Sequence, residues 1–356
     1  MTAGTAERRA GLPSLAHLRR LTDDTGLLQH AVHDVPDPHH GYTLDDNARG
    51  LALAIGLAHA GSAGSDLAER YLQFVLGARS PEQPGRFHNV MAYDRRWLDE
   101  VGSEESHGRA VAALAYTVAR GFDGGMRDTA AALVAPALTR VPSLYHPRAL
   151  AQSLIGLCWL EAAVGGHAED IDGVARRLAG CQAEHRGPGW EWFEPVLTYD
   201  NARLPLAMLL AAAARGSEEF AGVGRTTLDF LLAELTCDGR LDVVGNAGWY
   251  PRGGTRPAFD QQPVDAAAMV EVCVAAEAVL GGAAYRAAAE TAAAWFSGRN
   301  RLGVPLFDPA TGACFDGLTA DGVNRNRGAE STVAGLQARL ALADPGWVVP
   351  GWTRRG

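Results

Sequence analysis

Tyr42-Thr43-Leu44-Asp45-Asp46-Asn47-Ala48-Arg49-Gly50-Leu51 sets acidic and amide residues directly ahead of an apolar run that continues to Ala58. Asp and Asn side chains accept hydrogen bonds from the free N–H groups of a first helical turn, so the stretch reads as a capped helix start. It returns as Leu197-Thr198-Tyr199-Asp200-Asn201-Ala202-Arg203-Leu204. Looser copies begin at Glu105-Ser106-His107-Gly108-Arg109 and at Leu144-Tyr145-His146-Pro147-Arg148. Two more, Gln261-Gln262-Pro263-Val264-Asp265 and Gly328-Ala329-Glu330-Ser331-Thr332, keep the polar head and apolar tail without the arginine. Six copies at spacings of roughly 40–65 residues are the signature of repeated helical hairpins.

Each copy opens an inner helix, near residues 47, 108, 147, 201, 263 and 328. Outer helices are expected from about Asp66, Met126, Glu169, Glu218 and Ala283. Pro147 and Pro263 suit first-turn positions, where a missing N–H costs nothing. A further helix from Ser14 to about Val32, with Leu15, Leu18, Leu21, Leu27 and Leu28 on its apolar side, would supply the sixth outer member. Phe87–Asp94 alternates enough for a short strand, paired with Arg95–Leu98. The fold class that follows is all-α, an (α/α)6 toroid with a few short strands in its loops. The division expected is a flexible N-terminus at 1–12, one barrel domain at 13–345 and a C-terminal tail at 346–356.

The connections are unequal. Turns leaving the inner helices are short, such as Gly281-Gly282, whereas segments leading to the next inner helix are long, such as Thr236–Gln262 and Gly298–Arg327. Loops beyond about 15 residues usually carry function. All of these would open on one end of the ring, where the inner-helix N-termini gather and favour carboxylates and hydroxyl oxygens.

That end collects Asp45, Asp46, Glu105, His107, His146, Tyr199, Asp200, Gln262, Asp265 and Glu330, with Trp97, Trp192 and Trp249 on the long loops as stacking walls. Carboxylates among aromatic faces are what a sugar site needs. Helices about 10 Å apart would set Asp46 and Asp200 across a common hollow with a gap on the order of 7–10 Å. An inverting glycosidase needs such a gap to admit a water between base and sugar; retaining enzymes hold their carboxyls about 5 Å apart. Glu105 and Asp265 form a second opposed pair, and Glu330 is a further candidate. The capping reading stands beside the catalytic one for each acid. Arg49, Arg109, Arg148 and Arg203 share one repeat position and either pair with neighbouring caps or bind substrate. His107 and His146, on adjacent copies, would serve an epimerase or isomerase as acid and base.

Other classes are excluded by composition. The 356 residues are 47% hydrophobic and 21% charged with net charge −9, so nothing marks a nucleic-acid or anionic-membrane partner. No apolar run reaches the length of a membrane span. Five scattered cysteines without a C-x-x-C, and no apolar segment near Met1, lead us to expect reduced thiols and a cytoplasmic location. His30, His33, His39 and His40 with Asp34 and Asp37 match no defined metal spacing. No metal and no cofactor is expected.

The stretches Leu21–Ala31 and Gly41–Arg49 resemble a bacterial six-hairpin glycosidase-like family. Phe87-His88-Asn89, Tyr93–Trp97, Gly102–Arg109 and Gly328–Thr332 extend the resemblance over nearly the whole chain. Members are often labelled as, or fused to, glycosyltransferases. The resemblance implies the (α/α)6 fold, a carbohydrate substrate and a glycosyltransferase as a partner. The expectation adopted is an inverting glycoside hydrolase led by Asp46 and Glu105, with Asp200, Asp265 and Glu330 as alternates. The rivals are an epimerase and a non-catalytic glycan-binding partner of a glycosyltransferase.

Overall fold

The computed structural model describes residues 12–351, so the expected flexible start at 1–12 lies, except for Leu12, outside the described residues. Within them are twelve α-helices. Six are inner: α2 (Leu44–His59), α4 (Glu104–Arg120), α6 (Pro147–Ala163), α8 (Arg203–Arg215), α10 (Pro263–Leu280) and α12 (Ala329–Ala343). Between them lie α3 (Ser65–Gly77), α5 (Gly124–Leu138), α7 (Ala168–His185), α9 (Glu218–Leu235) and α11 (Ala283–Ala294). Each inner helix packs on the next, and α12 returns to pack on α2, so the circuit closes.

Burial explains the two classes. On α7 the buried residues are Ile171, Val174, Ala175, Leu178 and Gln182, one helical stripe with the other faces in water. On α10 every residue from Pro263 to Ala276 is buried, as expected of a helix enclosed by neighbours on all sides. Small residues allow that enclosure. Gly156 of α6 sits where a Cβ would approach the α4 backbone at Ala112 to 3.1 Å.

The N-terminal helix is a correction. Helix α1 spans only Ala16–Arg20, and Leu28–Val32 is a strand, β1, paired antiparallel with β2 (Val35–Thr43). Asp23 breaks the helix: its Oδ1 accepts the N–H groups of Thr25 at 2.8 Å and Gly26 at 3.2 Å, forming a tight turn. The short α1 still packs against α12 and reaches α3 through the Arg19–Asp66 ion pair, the place expected of the sixth outer helix. The Phe87–Asp94 strand shrinks to β3 (Val90–Met91), which pairs with β2, while Met91 bridges Trp97.

The long connections, residues 78–103, 186–202, 236–262 and 295–328, all lead to inner-helix N-termini and so meet at one end. They are knitted together there. Val196–Leu197 pairs with Tyr250–Pro251, and Gln261 bridges Leu318. Buried Asp242 anchors this layer, accepting from Gln261 Nε2 at 2.7 Å and from Arg301 Nε at 3.0 Å. The opposite end is closed by Trp347, buried against Tyr116 with ring centroids 5.2 Å apart. No described helix is long and apolar enough to cross a membrane. The five cysteines form no disulfide, and Cys158, Cys273 and Cys314 are buried.

Candidate active site

Helix α2 begins with Thr43 as its cap, not with Asp46. Thr43 Oγ1 accepts the Asp46 N–H at 3.1 Å and donates to Asp46 Oδ2 at 2.7 Å. Helix α4 is capped in the same way by Ser103, which accepts the Ser106 N–H at 3.1 Å. Capping by the residue before the turn leaves the acids inside it, Asp45, Asp46 and Glu105, free for other contacts.

Arginines take up most of them. Arg109 donates to both Asp45 oxygens at 2.8 and 2.7 Å, to Asp200 Oδ2 at 3.2 Å and to Glu105. Arg49 binds Glu330 at 2.5 Å and lies 3.5 Å from Asp45. Arg203 binds Asp200 at 3.1 Å and also Glu271. Arg148 binds Glu194 at 2.8 Å and Asn201 at 3.1 Å and lies over the Tyr199 ring. Of the two readings of the repeated arginine, pairing is the one seen at all four positions.

Two hollows flank this ionic layer. The mouth cavity, about 440 Å³, is lined by Asp45, Asp46, Asp260, Asp316, Glu330, His30, Gln262 and neighbouring amides and hydroxyls. Below lies a chamber of about 90 Å³ lined by Arg49, Arg109, Arg203, Asp200, Glu271 and Trp347. Asp46 and Asp200 therefore do not share a hollow. Asp200 has left-handed backbone, φ 49°, and does not cap α8, which starts at Arg203. Its side chain, 3% exposed, turns into the layer between two guanidiniums.

Burial raises five carboxyls in and around this layer, Asp45, Asp46, Glu105, Asp265 and Asp316. Burial raises the Asp46 pKa to about 7, with the Asp45 and Glu330 charges adding to the rise and Arg49 opposing it. Burial raises Glu105 to about 7 as well, helped by Asp45 and Asp200 and opposed by the hydrogen bond from Tyr199 Oη. Both stand in the first turns of neighbouring inner helices and are joined through Asp45 and Arg109. Asp265 is also pushed well up by burial; its Oδ1 accepts the Asp200 N–H at 2.6 Å and its Oδ2 has no partner among the described residues.

The other expected residues scatter. His107 does not reach the cavity: it packs on Phe87 and bonds the Ala137 carbonyl of α5 at 3.2 Å, and burial lowers it to about 4. His146 is exposed against Tyr145, so the two histidines do not face each other over a pocket. Trp192 is fully buried against Phe193 and is core rather than platform. Trp97 stacks on His88 at 5.1 Å. Trp249 leans on Tyr199 at 5.8 Å, half-buried beside Glu105's partner. Sequence reasoning missed Asp260 and Asp316 and placed His30 only in a histidine cluster. In that cluster the His30 and His40 rings stand 4.5 Å apart, and no metal-holding group forms among the described residues.

No family model and no curated protein sequence matches the chain. Solved structures do. A sugar epimerase from a ruminal bacterium superposes with TM-score 0.74 at 13% identity, covering 95% of this chain and 98% of its own. The cellobiose 2-epimerase of Bacillus thermoamylovorans gives 0.73 at 13%, covering 96% and 99%. An α-mannanase of Bacteroides thetaiotaomicron gives 0.62 at 10%, covering 95% and 94%. The neighbours are six-hairpin (α/α)6 glycosidase-like enzymes. At these identities the likeness is one of fold.

Proposed function

We propose that the closed circuit of helices is an (α/α)6 toroid and that its mouth acts on a carbohydrate, as an inverting glycoside hydrolase using Asp46 and Glu105. The observation that carries the reading is the pair of carboxyls raised to about 7 in the first turns of adjacent helices, Asp46 lining the polar cavity and Glu105 standing outside its lining, tied to it through Arg109 and Asp45. General acid–base catalysis works best with groups titrating near the operating pH. At neutral pH one of the two holds a proton for the leaving oxygen while the other is ionised and accepts one from water. An inverting enzyme needs its two carboxyls far enough apart to admit a water between base and sugar, about 6.5–9.5 Å. Arg109 and Asp45 fix Glu105, and Thr43 fixes Asp46, so both are held before substrate arrives. The sugar chemistry of the fold neighbours supports the substrate class.

A second reading, epimerisation, is supported by His30. It lines the cavity near Asp316 and Glu330, and burial lowers its pKa and keeps it neutral, as a proton-abstracting base requires. It takes over the role first given to His107 and His146.

A panel of α- and β-linked oligosaccharides, followed by reducing-end release and by chromatography of the monosaccharides, separates the two. Hydrolysis predicts new reducing ends, abolished in Asp46→Asn and Glu105→Gln. An epimeric product without new reducing ends, lost in His30→Ala and kept in Glu105→Gln, overturns the hydrolase reading. Binding without any product makes the chain a glycan-binding module, the partner role the resemblance allows.

A further inference from the structure

Charge at the mouth is lopsided. Five carboxylates line the cavity, against one histidine and no arginine or lysine among the lining residues. The nearest guanidiniums are already committed: Arg49 to Glu330 and Asp45, Arg109 to Asp45, Glu105 and Asp200. That leaves Asp46, Asp260 and Asp316 without a direct ion-pair partner among the described residues, Arg49 acting on Asp46 only from beyond contact. Asp316 accepts Gly328 N–H at 2.7 Å and Ser331 Oγ at 2.6 Å, bonds that orient it without cancelling its charge.

A second observation points to a ligand. Asp46 is 4% exposed and its Oδ2 is taken by Thr43, yet Oδ1 has no hydrogen-bond partner among the described residues and the side chain lines the cavity. That oxygen is accessible from the cavity, so a hydrogen-bond donor on a ligand can reach it. Hydroxyl and ammonium groups donate; carboxylate, phosphate and sulfate groups do not. The aromatic platforms lie outside this lining, so within the cavity recognition runs through hydrogen-bond donors on the ligand, and stacking on Trp249 would involve a sugar unit beyond it.

We infer that the cavity accepts saccharides whose substituents are hydroxyl or amino and rejects those carrying carboxylate, phosphate or sulfate. This rests on the carbohydrate reading given above and adds the charge class of the substrate. Like charges brought into a concave, partly desolvated site repel strongly. An ammonium on the sugar meets Asp46, Asp260 or Asp316 with opposite charge.

The test is calorimetric titration of the full chain with matched sets of mono- to tetrasaccharides: neutral, hexosamine, hexuronate and 6-phosphate forms of one backbone. In the set that binds, the hexosamine form should bind at least as tightly as the neutral form. The hexuronate and phosphate forms should bind at least tenfold more weakly. Asp260→Asn and Asp316→Asn should narrow that gap severalfold, as should raised salt. An anionic form that binds as well as its neutral counterpart overturns the charge inference and leaves the carbohydrate reading standing. If no saccharide of any charge binds, the carbohydrate reading itself fails.

Discussion

Arg109 holds Asp45 through two hydrogen bonds of 2.8 and 2.7 Å, tying the first turn of α2 to the side of α4. The same guanidinium reaches Glu105 and Asp200. One nearly buried cation therefore contacts three carboxyl groups from three hairpins.

Removing it leaves those carboxylates buried and facing each other. Arg109→Met should cost on the order of 3–5 kcal/mol in urea unfolding, the range for a broken buried ion pair. Arg96→Ala, which removes an exposed partner of Asp94, should leave the unfolding midpoint unchanged. Equal effects of the two would show that the Arg109 layer carries no special weight.

The pH dependence follows from Asp46 and Glu105. Turnover needs one protonated and one ionised, so a bell centred near pH 7 is expected, its limbs belonging to the pair. Stability moves separately. Both groups bind protons more tightly folded than unfolded, so their contribution is fully present below the ordinary carboxylate range. It is lost as pH rises from about 4 towards 7. The melting temperature should fall over that window more steeply in the parent than in the Asp46→Asn, Glu105→Gln double variant.

The closed end makes a packing prediction. A Cβ on Gly56 would lie 2.6 Å from the Trp347 ring and 2.8 Å from Leu340. Gly56→Ala should destabilise by about 1–3 kcal/mol through overpacking, and Trp347→Ala by about 3–5 kcal/mol through the cavity it leaves. Combined, the two should cost less than their sum, because the clash goes with the indole.

Two tryptophans expected on the sugar wall should separate. Trp192 is buried core, so Trp192→Leu lowers the unfolding midpoint and leaves sugar affinity unchanged. Trp249 leans on Tyr199 at 5.8 Å, beside the phenol that donates to Glu105. Trp249→Ala should weaken sugar binding roughly tenfold, the order of a lost stacking contact, with a small change in stability. Titration calorimetry and urea melts on both variants decide it.

The helical plan was legible because it is local. Pro147 and Pro263 begin α6 and α10, and the expected outer starts at 126, 169, 218 and 283 fall within two residues of those found. Leu15, Leu18, Leu21 and Leu27-Leu28 misled because an apolar spacing of three fits a helix until Asp23 takes up the turn at Gly26. The first-turn acids were legible as residue types. Their partners were not, since Arg109 finds Asp200 across 91 residues and Asp46 and Asp200 part into separate hollows. Asp260 and Asp316 sit in loops placed by the Gln261–Leu318 bridge, which has no local signature.

Anomer-resolved proton NMR of a cleaved oligosaccharide, begun within seconds of mixing, tests the central claim most directly. Working through water, Asp46 and Glu105 should release a sugar whose anomeric configuration is the opposite of the bond broken, with the signal absent from Asp46→Asn and Glu105→Gln. A first-formed product of unchanged configuration, or undiminished release from either variant, would contradict the account.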